Sequence, residues 1–373
     1  MQISSRFPLF FQIPSVRVAA VAITVVTAGL QAADGHAQAA AAAAAGLETA
    51  GSAKKKSKPS EAFPLTGSVA LAPSIPSGAL VTGEANRTGL DMTLTLSATY
   101  AIMPGLNLTA TQNVNKNLVT NADSGASRPY DTSVSDMIVN LGWSPRVSDG
   151  KGGTKAFRLP GGIGMSLGLV GNIPVSRASK YVGRYTSLTP TMNFNKGGLL
   201  GGKLLLVAGI GVLNNFNKYT QSSTEPVGTN DVALALTRTG GAEALSNGNI
   251  ATGSNLTSFA FRSLAVANFQ INDRWSCGLT YMLFNGFRYF DARQDEYTGK
   301  YARVGRGRVD TQWGIASLNY NIDADVIWSA SLYSFTASPP FSADGKTYRF
   351  PFFDFRSTAD NFSSIGLQAS RSF

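Results

Sequence analysis

The last 13 residues of the chain, NFSSIGLQASRSF (361–373), alternate between apolar and small polar side chains up to the final residue. Ile365, Leu367, Ala369 and the terminal Phe373 share one face of this predicted strand, and mainly serine, glycine and glutamine occupy the other. Chain ends usually fray in solvent. A strand that keeps its pattern to its last residue is expected where a sheet closes on itself and has no free edge.

The same two-residue period runs through the chain from Leu65 onward. In LDMTLTLSATYAI (90–102), seven apolar residues fall on one face, as the strand template requires. Many of the predicted strands have 11–13 residues, more than the ~5–6 of globular strands and close to the ~9–11 that cross a bilayer. The predicted strands are 65–72, 90–102, 106–116, 134–144, 162–173, 184–195, 203–213, 257–270, 275–287, 309–322, 326–336 and 361–373.

The connections between these strands alternate in length, which is typical of a transmembrane barrel with short periplasmic turns and long outer loops. Twelve strands place every short connection on one side, provided that 65–72 is a true strand. The link 145–161 is longer than the other short connections. The short connections are 103–105, 197–202, 272–275 and 323–325, and the long ones are 117–133, 214–256, 288–308 and 337–360.

Over roughly residues 65–373 the chain resembles bacterial outer-membrane β-barrel proteins, without pointing to one family. The residues that carry the resemblance are Ile365, Leu367, Ala369 and Phe373. It implies that the barrel-insertion machinery recognises the final strand, and that outer-membrane lipid and lipopolysaccharide surround the protein. Arg371 stands where the pattern has an aromatic residue.

The alternative fold is a secreted β-sandwich, which requires shorter strands and apolar inward faces. Here the apolar face is the one that lipid favours, and the opposite face of serine, threonine, asparagine and glycine cannot build a dry core. We therefore predict an all-β fold, an antiparallel up-and-down transmembrane β-barrel of about 12 strands.

The N-terminus predicts export. The apolar stretch Val18–Leu30 has the length of a signal-peptide core, and small residues at Ala37 and Ala39 suit a cleavage site. We expect a signal peptide over 1–39, cleaved near Ala39, although a retained anchor is the alternative. A flexible periplasmic leader rich in alanine, serine and lysine follows over 40–64, and the barrel occupies 65–373 in the bacterial outer membrane.

The composition excludes the usual catalytic chemistry. The only histidine lies in the predicted signal peptide, and Cys277 is the only cysteine. A Ser–His–Asp triad and a histidine-ligated metal are therefore impossible in the mature chain. We predict no enzyme, no cofactor and no nucleic-acid partner. The net charge of +10 fits anionic lipid or anionic solutes instead.

The alternation assigns mainly small polar residues to the lumen. Two interpretations stay open for the larger polar ones: a filter that orients a small solute, or charges that pair and hold the barrel. The predicted polar and charged lumen residues are Asp136, Arg262, Asp310 and Gln312. Apolar residues are predicted inside the barrel near its outer mouth, and these are Leu213, Met282, Phe284, Tyr333 and Phe335.

Two outer loops have unusual compositions. KTYRFPFFDFRS (346–357) carries Tyr348, Phe350, Phe352, Phe353 and Phe355. Because five exposed rings are unfavourable, we expect a plug, a site for an aromatic solute, or packing on a neighbouring loop. The loop 288–308 is basic, and we expect it to bind lipopolysaccharide phosphates or to attract anionic solutes. Its candidate residues are Arg303, Arg306 and Arg308.

Together these features predict a channel that passes small solutes by diffusion through a narrow or partly plugged lumen. One alternative is a transporter that binds hydrophobic or aromatic compounds near the outer mouth. The other is a non-conducting structural or adhesive surface protein whose activity lies in 214–256.

Overall fold

The computed structural model describes the barrel and parts of its loops. The described residues are 65–76, 89–119, 132–148, 154–224, 234–236, 242–244, 250–292, 305–323, 327–341, 345–354 and 362–373. The predicted signal peptide and leader, residues 1–64, lie outside them.

Twelve strands form one closed antiparallel barrel. Each strand pairs with the next in the chain, and the first pairs with the last. The predicted all-β up-and-down barrel is thereby confirmed. The strands are β1 (Leu65–Pro76), β2 (Leu90–Met103), β3 (Leu106–Val119), β4 (Met137–Trp143), β5 (Ile163–Ile173), β6 (Arg184–Gly198), β7 (Leu204–Asn217), β8 (Thr257–Gln270), β9 (Trp275–Ala292), β10 (Gly305–Asn321), β11 (Trp328–Ser338) and β12 (Phe362–Ser372).

The weakest sequence prediction, the strand over 65–72, is confirmed and extends to Pro76. The longest strand, β9, runs five residues beyond its predicted end. Within the described residues, no helix is long and apolar enough to cross a membrane.

Short strands and helical turns lie at the ends of the barrel. Among the described residues, three strand pairs and two short strands lie outside the twelve: Arg146–Ser148 with Thr154–Ala156, Gln221–Thr224 with Ile250–Asn255, Leu234–Leu236 with Ala242–Ala244, Thr132–Val134 against β3, and Arg158–Leu159 against β5. The helical turns are Pro160–Gly162, Arg177–Tyr181 and Leu199–Gly202.

The closure between β1 and β12 includes the last residue of the chain. The backbone N–H groups of Gly67 and Phe373 each donate to the other residue's carbonyl oxygen at 2.9 Å. The Phe373 ring lies where a side chain of Gly67 would be, so a larger residue at position 67 would displace this terminal ring. Arg371, which departs from the expected aromatic pattern, lies over the Trp328 ring at 5.1 Å and covers an aromatic instead.

The outer face of the barrel is an aliphatic band between two aromatic girdles. Trp275 and Tyr320, with ring centroids 4.8 Å apart, belong to the girdle at the short-turn end. Phe259 and Phe287 stack at 4.8 Å in the girdle at the loop end. Trp275 and Phe287 are twelve residues apart on β9, which on a tilted strand is roughly 30 Å of height. An exterior of this kind is solvated by hydrocarbon, not by water.

The register of the closure can be tested by cross-linking. Ala70 and Ser370 are directly opposite each other in the β1–β12 pair. Each is three residues along its strand from the hydrogen-bonded pair Gly67–Phe373. They form a non-hydrogen-bonded pair, whose Cα atoms lie within disulfide range. We expect Ala70→Cys with Ser370→Cys, in a Cys277→Ala background, to form a disulfide that thiol titration detects as the loss of both free thiols.

The matched control places the second cysteine two residues away, as Ala70→Cys with Ser372→Cys. This diagonal pair should remain reduced under the same oxidation. Equal cross-linking of both pairs would contradict the register.

Candidate functional site

The lumen has two walls of different chemistry. The inward residues of β2 to β6 are mostly threonine, asparagine and serine, whereas those of β7 to β11 are mostly apolar. The polar wall contains Thr93, Thr95, Thr109, Thr111, Asn113, Asn140, Asn172, Ser187 and Thr189. The apolar wall contains Val207, Leu213, Leu264, Val266, Met282, Phe284, Trp313, Ile315, Tyr333 and Phe335.

Cross-strand hydrogen bonds organise the polar wall. The Thr95 hydroxyl donates to Asn113 Oδ1 at 2.8 Å, and the hydroxyls of Thr99 and Thr109 are 3.0 Å apart. Further along, Asn172 Nδ2 donates to Ser187 Oγ at 2.7 Å. Most of these hydrogen bonds run from strand to strand, whereas Asn172 Oδ1 is buried without a partner among the described residues.

Tilted and edge-to-face ring contacts organise the apolar wall. The Phe284 and Trp313 ring centroids are 4.8 Å apart, and Trp313 lies 6.3 Å from Phe335 in an edge-to-face arrangement. The five residues predicted near the outer mouth face inward and are buried, but they lie around mid-height of the barrel and not at its mouth; they are Leu213, Met282, Phe284, Tyr333 and Phe335. Met282, Phe284, Tyr333 and Phe335 belong to one packed cluster with Trp313, which sequence reasoning missed, and Leu213 lies outside that cluster.

The two walls meet in the middle of the barrel. Three residues on different strands lie at similar distances from the short-turn end. Arg262 is eight residues from that end of β8, Thr189 is nine residues from that end of β6, and Met282 is seven residues from that end of β9. Side chains from eleven strands lie at this height, and none is more than 4% exposed. We call them the central layer: Ala72, Thr93, Asn113, Ile138, Asn172, Thr189, Leu213, Arg262, Met282, Trp313 and Phe335.

The burial of the central layer shows that it is packed. An inward side chain beside an open pore is wetted by the water within it, whereas these side chains leave no water-sized gap next to them. β12 contributes Gly366, and the Tyr333 ring lies directly over this glycine. The central layer therefore closes the lumen in this conformation.

Of the four polar residues predicted for the lumen, Arg262 alone lies in the central layer. Its guanidinium is buried, and Nε and Nη1 have no hydrogen-bond partner within the described part of the chain. In register, it is flanked by Gly211 on β7 and Phe284 on β9. A charge that is buried without a partner is costly, so it marks a position with a role beyond packing.

Asp136 lies at the loop end and is fully engaged. Its Oδ1 accepts the backbone N–H of Ser176 at 2.9 Å, and its Oδ2 accepts the Ser179 hydroxyl. Arg184 Nη1 is 3.4 Å from Oδ2, in an ion pair that is almost completely buried. Asp136 thus anchors the short helix Arg177–Tyr181 to the rim above β4.

The predicted inward orientation of Asp310 and Gln312 is wrong. In β10 the inward residues are Trp313 and Ile315, which share their face with Met282 and Phe335 of the flanking strands. Asp310 faces outward and pairs with Arg308 at 2.9 Å. The assignment failed because polarity identifies the inner face only where the interior is polar, and here the interior wall is apolar.

The aromatic segment 345–354 also lies on the outside of the barrel. Gln312 Nε2 donates to the carbonyl oxygen of Arg349 at 3.0 Å, and Ser334 Oγ donates to that of Phe352 at 3.0 Å. Gly314 faces outward, and its missing side chain leaves room for Pro351. The predicted plug is therefore wrong for these residues.

Four of the five predicted plug residues lie in this outer segment. Tyr348 and Phe350 are exposed, and the Tyr348 hydroxyl is 3.1 Å from that of Tyr281 on the outer face of β9. Phe352 and Phe353 are half-buried. Phe355 lies outside the described residues. An apolar groove of about 460 Å³ runs beside Phe352, lined by Phe194, Leu206, Ala208 and Tyr281.

The basic loop is only partly described. Arg303 lies outside the described residues, and only the backbone of Arg306 is described, in register with Asp291. Arg308 is exposed at the loop end of β10. The lipopolysaccharide and anion hypotheses for this loop remain predictions.

No protein-family model and no curated protein matches the sequence. An outer-membrane channel from Pseudomonas putida F1 is similar in fold, with a TM-score of 0.48 and 10% identity over 85% of this chain and all of that one. The NanC porin has a TM-score of 0.40 and 9% identity over 81% and 98% of the two chains. The Pseudomonas putida toluene transporter TodX has a TM-score of 0.34 and 10% identity over 83% and 89%.

The two aspartate–arginine pairs predict different contributions to stability. Asp136→Ala leaves the buried Arg184 without its counter-charge and should lower the free energy of unfolding by about 3 kcal/mol. Asp310→Ala removes an exposed pair and should lower it by less than about 1 kcal/mol. The measurement is the guanidinium midpoint of unfolding in detergent, followed by intrinsic fluorescence. Similar losses in the two variants would contradict the structural role of Asp136.

Proposed function

We propose that this chain is a bacterial outer-membrane channel for small solutes, in which the central layer closes the lumen until its side chains move. The observation that carries the proposal is the composition of the lumen, where a wall of threonine and asparagine faces a wall of aliphatic and aromatic side chains. The apolar exterior and the aromatic girdles support a position in the membrane. The proposed role requires no chemical step and no cofactor.

Passage through the central layer needs side chains to move, but not strands. Arg262 and Met282 are long and unbranched, so each has several rotamers that leave the backbone in place. The polar wall, by contrast, is tied by hydrogen bonds between β2 and β3. In this proposal the apolar wall and Arg262 are the moving side of the gate, and the polar wall is the fixed side.

The position of the barrel in the membrane determines what surrounds its two ends. The short-turn end lies in the periplasm and the loop end at the cell surface. There the exposed Arg308, with the other arginines of its loop, contacts lipopolysaccharide phosphates through charge-assisted hydrogen bonds. The barrel-insertion machinery recognises the final strand, whose apolar face ends at Phe373.

A second candidate function is the transport of hydrophobic or aromatic compounds. The observation that favours it is the continuous ring surface of Phe284, Trp313 and Phe335 inside the lumen. A diffusion channel for polar solutes does not need such a surface. The two candidates differ in what the central layer binds, and both require that the lumen can open.

The proposal is tested by single-channel current of the refolded chain, residues 40–373, in a planar bilayer. We expect small discrete steps from the wild type. Phe284→Ala, which removes a ring beside the central layer, should raise the conductance at least twofold. The control Phe261→Ala removes a ring from the outer face of the adjacent strand and should leave the conductance unchanged. Silence from folded wild type and from folded Phe284→Ala would favour the non-conducting structural role.

Deletion of 348–353 distinguishes a gate in the lumen from a gate in the aromatic segment. Because this segment lies against the outer faces of β10 and β11, its removal should leave the single-channel conductance at the wild-type value. A shift in gel mobility on heating shows whether the barrel that carries the deletion has folded. A large gain in conductance would restore the plug hypothesis and contradict the placement of the segment.

A further inference from the structure

Arg262 is a buried charged group that has no counter-ion among the described residues. It is 3% exposed, and its Nε and Nη1 are buried without a hydrogen-bond partner among the described residues. Arg184, by contrast, is buried in an ion pair with Asp136. Arg262 therefore presents an unneutralised guanidinium in the middle of the lumen.

The inward carboxylates do not neutralise it. Among the side chains that the structure describes, those of Asp91 and Asp136 face the interior. Asp136 is committed to Ser176, Ser179 and Arg184 at the rim. Asp91 is on β2, which lies across the barrel from β8, and it makes no ion pair with Arg262. The free positive charge favours an anion from outside the chain.

The surroundings of Arg262 indicate what kind of anion fits. Phe284 is its direct register partner on β9, and the Phe284 ring lies 4.8 Å from Trp313. On the same strand, the inward neighbours of Arg262 are Ala260 and Leu264. A hydrated inorganic ion gains nothing from such an apolar surface, whereas a carboxylate attached to a ring gains both an ion pair and ring contacts.

A second inward arginine lies closer to the loop end of the barrel. Arg288 follows Phe284 by four residues on β9 and has the same inward parity. Its side chain lies against Gly307 of β10, and its Nε is buried without a partner in the described part of the chain. An anion that enters from the loop end therefore passes Arg288 before it reaches Arg262.

We propose that the lumen binds small aromatic carboxylates at mid-height. The carboxylate pairs with the Arg262 guanidinium, and the ring lies against Phe284 and Trp313. The bound anion supplies the counter-charge that the chain lacks, and its ring takes the place of the side chains that close the central layer. This proposal deepens the proposed channel function by naming the class of solute.

The test is equilibrium binding of benzoate to the refolded full barrel in detergent, measured by titration calorimetry. We expect Arg262→Gln to weaken benzoate binding at least tenfold, and Arg262→Lys, which keeps the charge, to weaken it less. Benzyl alcohol has the ring without the charge, so its binding should not change in Arg262→Gln. The control Arg274→Gln removes one exposed positive charge from the short turn between β8 and β9 and should leave benzoate binding unchanged.

A second comparison tests the contribution of the ring. Phe284→Leu should weaken binding of benzoate more than binding of acetate, because acetate has no ring to contact. Acetate binding as tight as that of benzoate would overturn the aromatic part of the proposal. Absence of benzoate binding to the wild type, or equal benzoate affinity in wild type and Arg262→Gln, would overturn the site itself.

The binding experiment does not depend on conduction. A conducting barrel that does not bind benzoate would overturn this proposal and keep the channel. A silent barrel that binds benzoate through Arg262 would keep the site and overturn the channel.

Discussion

The structure depends on one constraint, namely that backbone N–H and C=O groups in hydrocarbon must be paired within the protein. A sheet meets this requirement only when its first and last strands pair. Here that pair is β1 with β12, and its ladder extends to the reciprocal hydrogen bonds of Gly67 and Phe373. The regular alternation at the end of the chain follows from this, because a frayed last strand would leave two sheet edges open to lipid. The aliphatic exterior and the packed interior are the two faces of that one closed sheet.

Closure also explains why the lumen can be asymmetric. Wherever a strand faces lipid, its exterior has to suit the same hydrocarbon, so the outer faces are alike except at β10 and β11, which the segment 345–354 covers. The interior does not face lipid, and its two halves are a hydrogen-bonded polar wall and an apolar wall with ring contacts. Where they meet, the central layer combines a threonine and asparagine arc, a ring cluster and one guanidinium. This combination is more typical of a selective site than of an open water-filled pore.

Much of the fold was predictable because period-two alternation is a local property of the sequence. It located all twelve strands, and counting the short turns decided that β1 had to exist. It failed on β10, where Asp310 and Gln312 were assigned to the lumen because they are polar. The correct assignment could have been read from residues further along β10. Leu318 and Tyr320 alternate in step with Asp310 and Gln312, and they are apolar residues of the outer face. The position of the aromatic segment was not predictable, because it depends on contacts between residues far apart in the chain, such as Gln312 with Arg349.

The aromatic segment changes the outer surface of the barrel on one side. Pro351 and Phe352 lie against Gly314 and Ser334, which are next to Trp313 and Phe335 of the central layer, so this cover reaches the middle of the barrel. Irregular backbone is not stable when it is exposed to hydrocarbon, and here side chains of β10 and β11 donate hydrogen bonds to it. The aliphatic band is therefore interrupted at β10 and β11, and the barrel does not present the same face to its surroundings all the way round.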